Sequence, residues 1–121
     1  MVLVDTSVWI EHFRNGLPRL ESLLSNVSVA THPYVIGELA CGNMGNRKEI
    51  LSLLQSLDSM PVITLEECLS FIEMKKLHGR GIGFVDVNLL ASALLSGVML
   101  WTRDRNLHAL ALEMGLAFQK R

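Results

Sequence analysis

The chain of 121 residues is short of cysteine, proline, aromatic side chains and net charge. Its 2 cysteines, Cys41 and Cys68, form no C-x-x-C pair, which argues against a zinc site or a disulfide framework. Both lie among apolar residues and are expected as buried thiols in a reducing cytoplasm. With 3 prolines and 9 glycines spread along the chain, collagen-like and low-complexity segments are excluded. The longest charge-free stretch, Val87 to Thr102, is shorter than the roughly 18 residues of a membrane span and is broken by Asn88, Ser92, Ser96 and Gly97, so no membrane association is expected. The N-terminus, Met-Val-Leu-Val-Asp, has no basic stretch ahead of its apolar one, so it does not read as a signal peptide and the expected location is cytoplasmic. A net charge of −1 does not by itself mark a nucleic-acid binder.

What is present points to a folded domain. Hydrophobic residues make up 50% and charged residues 19%, a balance that excludes intrinsic disorder. The length fits one domain over residues 1–121. A mean hydropathy of +0.34 leads us to expect apolar surface left over for a partner.

Short apolar runs alternate with helical periodicity. Val2–Val4, Val27–Thr31, Pro61–Thr64, Val98–Thr102 and Leu116–Phe118 read as strands. Helical patterns follow Asp5, run from Leu17 to Ser25, open at Pro33, cover Ile50–Leu57, Leu65–Leu77 and Asp86–Ser96, and resume from Asp104 to Met114. His78–Gly83, with glycines at 79, 81 and 83, reads as a flexible loop; it lacks the Lys-Ser/Thr of a P-loop. Such alternation predicts an α/β fold with a short, mostly parallel central sheet flanked by helices.

The acids are the informative residues. Asp5 and Asp104 each follow an apolar strand and start a helix, and Asp86 also starts a helix. Helix capping accounts for any one of them. Glu38 sits one turn into an otherwise apolar helix, either partly buried or turned to solvent. In an open parallel sheet the carboxyl ends of the strands line one edge, where Asp5 and Asp104 would meet and Asp86 and Glu38 could join them. Two carboxylates about 4 Å apart repel by roughly 4 kcal/mol at an effective dielectric near 20, so four together call for a cation or retained protons. Oxygen-only donors select Mg²⁺ or Mn²⁺. With these four set aside, 8 of the 12 acids remain against 11 bases, a balance of +3 that suits a phosphate-rich substrate. Carboxylate-held metal activates water for attack on a phosphodiester.

The run Val4-Asp5-Thr6-Ser7, Glu38 in a short helix, Asp86 in Asp-Val-Asn-Leu-Leu-Ala, and Asp104 in Trp-Thr-Arg-Asp-Arg-Asn resemble the PIN-domain ribonucleases over the whole chain. Within them the likeness is to the VapC toxins of prokaryotic toxin–antitoxin pairs. The resemblance implies a PIN-like three-layer sandwich and Mg²⁺- or Mn²⁺-dependent endonucleolytic cleavage of RNA by Asp5, Glu38, Asp86 and Asp104. It also implies hydroxyls at Ser7 and Thr102 that orient carboxylates or waters, a homodimer, and a VapB-type antitoxin that occludes the site. One position departs from the pattern: Asn106 stands where many relatives carry a further acid, although its carbonyl could accept a hydrogen bond from a metal-bound water.

Arg103 and Arg105 flank Asp104 as candidate phosphate contacts, and Arg80 is a third. The four histidines have no ligand spacing and are expected as surface or packed residues. Trp101 is expected in the core. Two rival readings are a phosphoacceptor receiver domain and an inactive PIN-like binding module. A receiver expects paired acids early in the chain and a lysine after a late strand, whereas here Asp5 stands alone and Arg103 takes the later place.

Overall fold

A computed structural model describes residues 1–119 of the chain. Among them lie four strands, β1 (Val2–Val4), β2 (Val29–Thr31), β3 (Asp58–Ser59) and β4 (Met99–Trp101). The helices are α1 (Thr6–Asn15), α2 (Pro18–Ser25), α3 (Pro33–Cys41), α4 (Arg47–Ser56), α5 (Leu65–Lys75), α6 (Phe84–Ser96) and α7 (Arg105–Glu113). Two helices separate each strand from the next, and such crossovers pair strands in parallel. The sheet order is β3-β2-β1-β4, and every pairing is parallel.

The strand order contains one reversal. The chain steps from β1 outward to β2 and β3, then returns to place β4 on the other side of β1. The reversal puts a topological switch point between β1 and β4, where open α/β sheets form a crevice beyond their carboxyl ends. The three residues of β1 and of β2 are buried, as expected of a short sheet covered on both faces. One core unites them with Val8, Trp9, Leu20, Leu54, Leu89 and Leu107 from the helices.

Several boundaries differ from the sequence reading. Pro61–Thr64 is not a strand. The third strand is Asp58–Ser59, and the Met60 amide donates the last ladder bond to Thr31 O at 2.7 Å before Pro61, which has no N–H, ends the pairing. Thr64 instead caps α5 through a reciprocal box with Glu67. Val27 is no strand residue either: it takes a left-handed turn, φ 54°, and is exposed. Leu116–Phe118 contributes one parallel bridge, Leu100 to Ala117, rather than a full strand. Cys68 is buried as expected, but Cys41, at the end of α3, is exposed. Trp101 is in the core.

Candidate functional site

Asp5 follows β1 and stands at the cap position of α1, yet its side chain makes no capping bond. The carboxylate turns the other way. Its Oδ2 accepts hydrogen bonds from Ser7 Oγ and Thr102 Oγ1, both at 2.8 Å. Those hydroxyls are themselves fixed: the Arg103 amide donates to Ser7 Oγ and the Asp104 amide to Thr102 Oγ1, each at 3.0 Å. The ends of β1 and β4 are thus cross-tied through one buried carboxylate. The sequence reading of Asp5 as a helix cap fails here because two hydroxyl donors take the carboxylate in place of the amides of α1.

Asp104 does cap its helix. Leu107 N donates to its Oδ1 at 2.9 Å, and α7 begins at the next residue. Asp86 does not start its helix but lies in the first turn of α6, where the Gly83 amide donates to its Oδ2 at 3.3 Å. Glu38, in the second turn of α3, is exposed rather than buried among its apolar neighbours. Thr6 Oγ1 donates to its Oε1 at 2.7 Å across to α1. Sequence reasoning misses Thr6, although its place between Asp5 and Ser7 in an Asp-Thr-Ser run is an available signal.

The four carboxylates grade from a buried floor, Asp5, through half-buried Asp86 to an exposed rim, Asp104 and Glu38. They are near enough to act on one another. Burial raises the Asp86 pKa above the usual carboxylate range, partly offset by the Gly83 amide, and the negative charges of Asp5, Asp104 and Glu38 push it further up. Each carboxylate has one oxygen engaged by a protein donor, while the other has no protein hydrogen bond among the described residues. Among the described residues no three His, Cys, Asp or Glu side chains are already drawn together as an ion-holding group. The donor chemistry nevertheless fits a hard divalent cation: four carboxylates, each oriented through one oxygen, with a raised proton affinity at Asp86.

The surrounding candidates are placed unequally. Arg103 and Arg105 flank Asp104 in an open depression shared with Asn106, and Arg103 lies 3.9 Å from Glu11. Arg80 is committed elsewhere, in a 2.6 Å ion pair with Glu113 on α7. Asn106 donates from Nδ2 to Gly81 O at 3.3 Å, so its amide serves the glycine loop and its carbonyl oxygen is left over. The segment 78–83 is a loop, and these two contacts tie it to α7. Glycine is favoured at position 81 by φ +80°; a Cβ would lie 2.5 Å from Asn106 Nδ2, so the Asn106 amide would have to turn away from Gly81 O.

The model of the PIN domain matches residues 2–113. The chain belongs to the PIN domain family. Similar proteins include Ribonuclease VapC32 of Mycobacterium tuberculosis, from strains CDC 1551 / Oshkosh and ATCC 25618 / H37Rv. It is 49% identical over 118 residues, covering 97% of this chain and 95% of the relative. Among solved structures, the crystal structure of PAE2754 from Pyrobaculum aerophilum superposes with a TM-score of 0.65 at 21% identity, covering 90% of this chain and 83% of that one. At that identity the likeness speaks for the fold, the three-layer α/β arrangement of a PIN domain.

Proposed function

We propose that the chain works over residues 1–121 as one PIN domain, an endoribonuclease that is the toxin of a VapBC-type pair. The observation that carries this reading is the carboxylate set at the β1/β4 switch point, each member oriented through one oxygen and open at the other. It is supported by the family and by near-full-length similarity to a ribonuclease named VapC32.

Asp5, Asp86 and Asp104 would hold Mg²⁺ or Mn²⁺, with Glu38 completing the set. When bound, the ion supplies positive charge against the developing phosphorane and a water of lowered pKa. Glu38, on the rim with Oε2 open, orients or deprotonates the attacking water. Ser7 and Thr102 fix Asp5 and so the floor of the site. Arg103 and Arg105 hold the phosphates of the RNA backbone. Arg80 is a weaker candidate, since binding RNA would cost it Glu113. Asn106 stands at the rim with one carbonyl to offer a water. A VapB-type antitoxin would occlude the site, and the groove of about 560 Å³ that runs from Glu38 past Ile10, Phe13 and Ile50 gives it room. Exposed Leu65 and Leu69 on α5 and Leu95 on α6 offer apolar surface for a homodimer. No helix among the described residues is long and apolar enough to cross a membrane, and the expected place of action is the cytoplasm.

The test is cleavage-site mapping on total RNA with purified protein, with and without Mg²⁺ or Mn²⁺, and with Asp86→Asn as control. Metal-dependent cuts made by the wild type and lost in the variant support the reading. Wild-type protein that cuts no RNA with either ion, or an Asp86→Asn variant as active as wild type, overturns it.

A further inference from the structure

Two of the four acids sit on helices with little direct contact to each other. α3, which carries Glu38, packs on α1 and α4; α6, which carries Asp86, packs on α5 and β4. Between them lies a buried polar bridge that the carboxylate site does not use. His32 follows β2 and caps α3: its Nδ1 accepts from the Tyr34 amide at 3.0 Å. An Nδ1 that accepts leaves the ring proton on Nε2, so Nε2 donates to Asn88 Oδ1, 3.0 Å away. Asn88 lies in α6, two residues after Asp86. Its Oδ1 also accepts from Ile63 N at 3.0 Å, and its Nδ2 donates to Ile63 O at 2.9 Å. Both side chains are 0% exposed.

We infer that His32 and Asn88 are positioning residues for the carboxylate site: their buried hydrogen bond sets the placement of the Asp86 helix against the Glu38 helix. The inference rests on the nuclease reading for its effect on cleavage, but not for the placement itself. Three features favour a positioning role over simple filling. The bond joins two elements whose backbones come close at few points, and it is a directional link between them within a core that both share. Its direction is set, because the Tyr34 amide fixes the tautomer. Burial keeps the imidazole pKa below its ordinary value, so the ring stays neutral and Nδ1 remains an acceptor at neutral pH.

Two substitutions separate the functions of the ring. His32→Gln has a donor where Nε2 stood and keeps the bridge, but loses the cap. His32→Asn has an acceptor where Nδ1 stood and keeps the cap, but loses the bridge; Asn88 Oδ1 then still holds Ile63 N, so no buried carbonyl is orphaned. Spin labels on native Cys41, exposed at the end of α3, and on Ser96→Cys at the exposed end of α6 report the distance between the helices, with buried Cys68 left unlabelled and labelled protein diluted with unlabelled protein to leave only distances within one chain. The expected result is a narrow distance distribution in wild type and His32→Gln, and a shifted or broadened one in His32→Asn.

Mn²⁺ affinity, measured by calorimetry, should weaken by about tenfold or more in His32→Asn, the scale on which groups that orient metal ligands act. Cleavage should lose kcat with KM for RNA little changed. His32→Gln should stay close to wild type in all three readouts. Should His32→Asn not fold, His32→Ser takes its place: its hydroxyl can accept from the Tyr34 amide as a helix cap but is too short to reach Asn88, and the Asn88 bonds to Ile63 are kept. Equal distance distributions in the bridge-keeping and bridge-losing variants, or losses that follow melting temperature rather than the bridge, overturn the inference. A wild type that neither binds Mn²⁺ nor cuts RNA defeats the nuclease reading instead, and the label distances still decide whether the bridge sets the helices.

Discussion

Asp5 and Asp104 come to the site from adjacent strands, Glu38 and Asp86 from separate helices, and the two pairs are held by different physics. β1 and β4 are locked in register, Val4 opposite Trp101, and the Asp5 amide extends that ladder to Trp101 O at 2.9 Å. Backbone hydrogen bonds therefore fix where the strand-borne acids begin, and Ser7 and Thr102 fix how Asp5 points. No ladder reaches Glu38 or Asp86. Their helices are held by core packing, through Val35 and Leu39 in α3 and Val87 to Ala93 in α6, and single bonds then orient them: Thr6 to Glu38, Gly83 to Asp86, and His32 to Asn88 beneath. The site thus has a stiff half and an adjustable half, and substitutions in the two should fail differently.

The largest effect is expected on the stiff half. Asp5→Ala removes the floor carboxylate and should lower RNA cleavage by at least about 10²–10³-fold, the scale seen when one group that stabilises a transition state is deleted. Circular dichroism and the melting curve should show a folded protein, because the core around β1 does not include the carboxylate. Thr102→Val comes next. It keeps the shape of the side chain but removes the donor to Asp5 and the acceptor for the Asp104 amide, and should cost about 10–100-fold in activity or metal affinity. Ser7→Ala, which spares the Asp104 amide, should cost less than Thr102→Val. If the two were equal, Thr102 would not be acting on both acids at once.

Legibility in the sequence divides along the same line. Asp5, Asp104 and the hydroxyls at Ser7 and Thr102 lie next to short apolar runs, and a parallel sheet brings the ends of such runs to one edge whatever the details. The strand order is not legible, since nothing in Val98–Thr102 says on which side of Val2–Val4 it will pair. The helix-borne acids are harder. Glu38 has apolar neighbours that suggest burial but is exposed, because the apolar face of α3 turns Val35 and Leu39 inward and leaves position 38 outside. Asp86 reads as a cap but sits three positions after one. His32, one of four histidines with no ligand spacing, reads only as a packed or surface residue, and its partner Asn88 lies 56 positions away, beyond any local pattern. The Pro61–Thr64 strand fails for a local reason: the apolar residues are visible, but Ile63 is held by Asn88 rather than by a neighbouring strand.

On the adjustable half, Thr6→Val should have a smaller effect. The Thr6–Glu38 bond is solvent-exposed, and a typical hydrogen bond contributes about 0.5–1.5 kcal/mol, so cleavage should fall by roughly twofold to tenfold. The fold should be unaffected. A loss as large as that of Asp5→Ala would mean that Glu38 is held as rigidly as the strand-borne acids, and the distinction between the halves would not stand.

The smallest effect is one of stability, and it runs opposite to the losses in activity. Asp86 has its pKa raised from the ordinary 3.8 by burial first, opposed by the Gly83 amide, and then by the charges of Asp5, Asp104 and Glu38. Between 3.8 and the raised value the folded protein binds a proton that the unfolded chain has released. The stability from that proton is present in full below 3.8 and is lost as pH rises through the raised value, so the ionised carboxylate destabilises the metal-free protein at neutral pH. Asp86→Asn keeps an oxygen for the Gly83 amide and removes the charge. The variant should therefore melt above metal-free wild type at pH 7, and the gap should close as pH falls towards 3.8. Mg²⁺ or Mn²⁺ should close it from the other side, by raising the wild type and not the variant, because a ligand that binds only the folded state stabilises it by mass action. A metal-free wild type that melts above Asp86→Asn at neutral pH would mean that the carboxylate contributes more through its own contacts than its burial and its three charged neighbours take away.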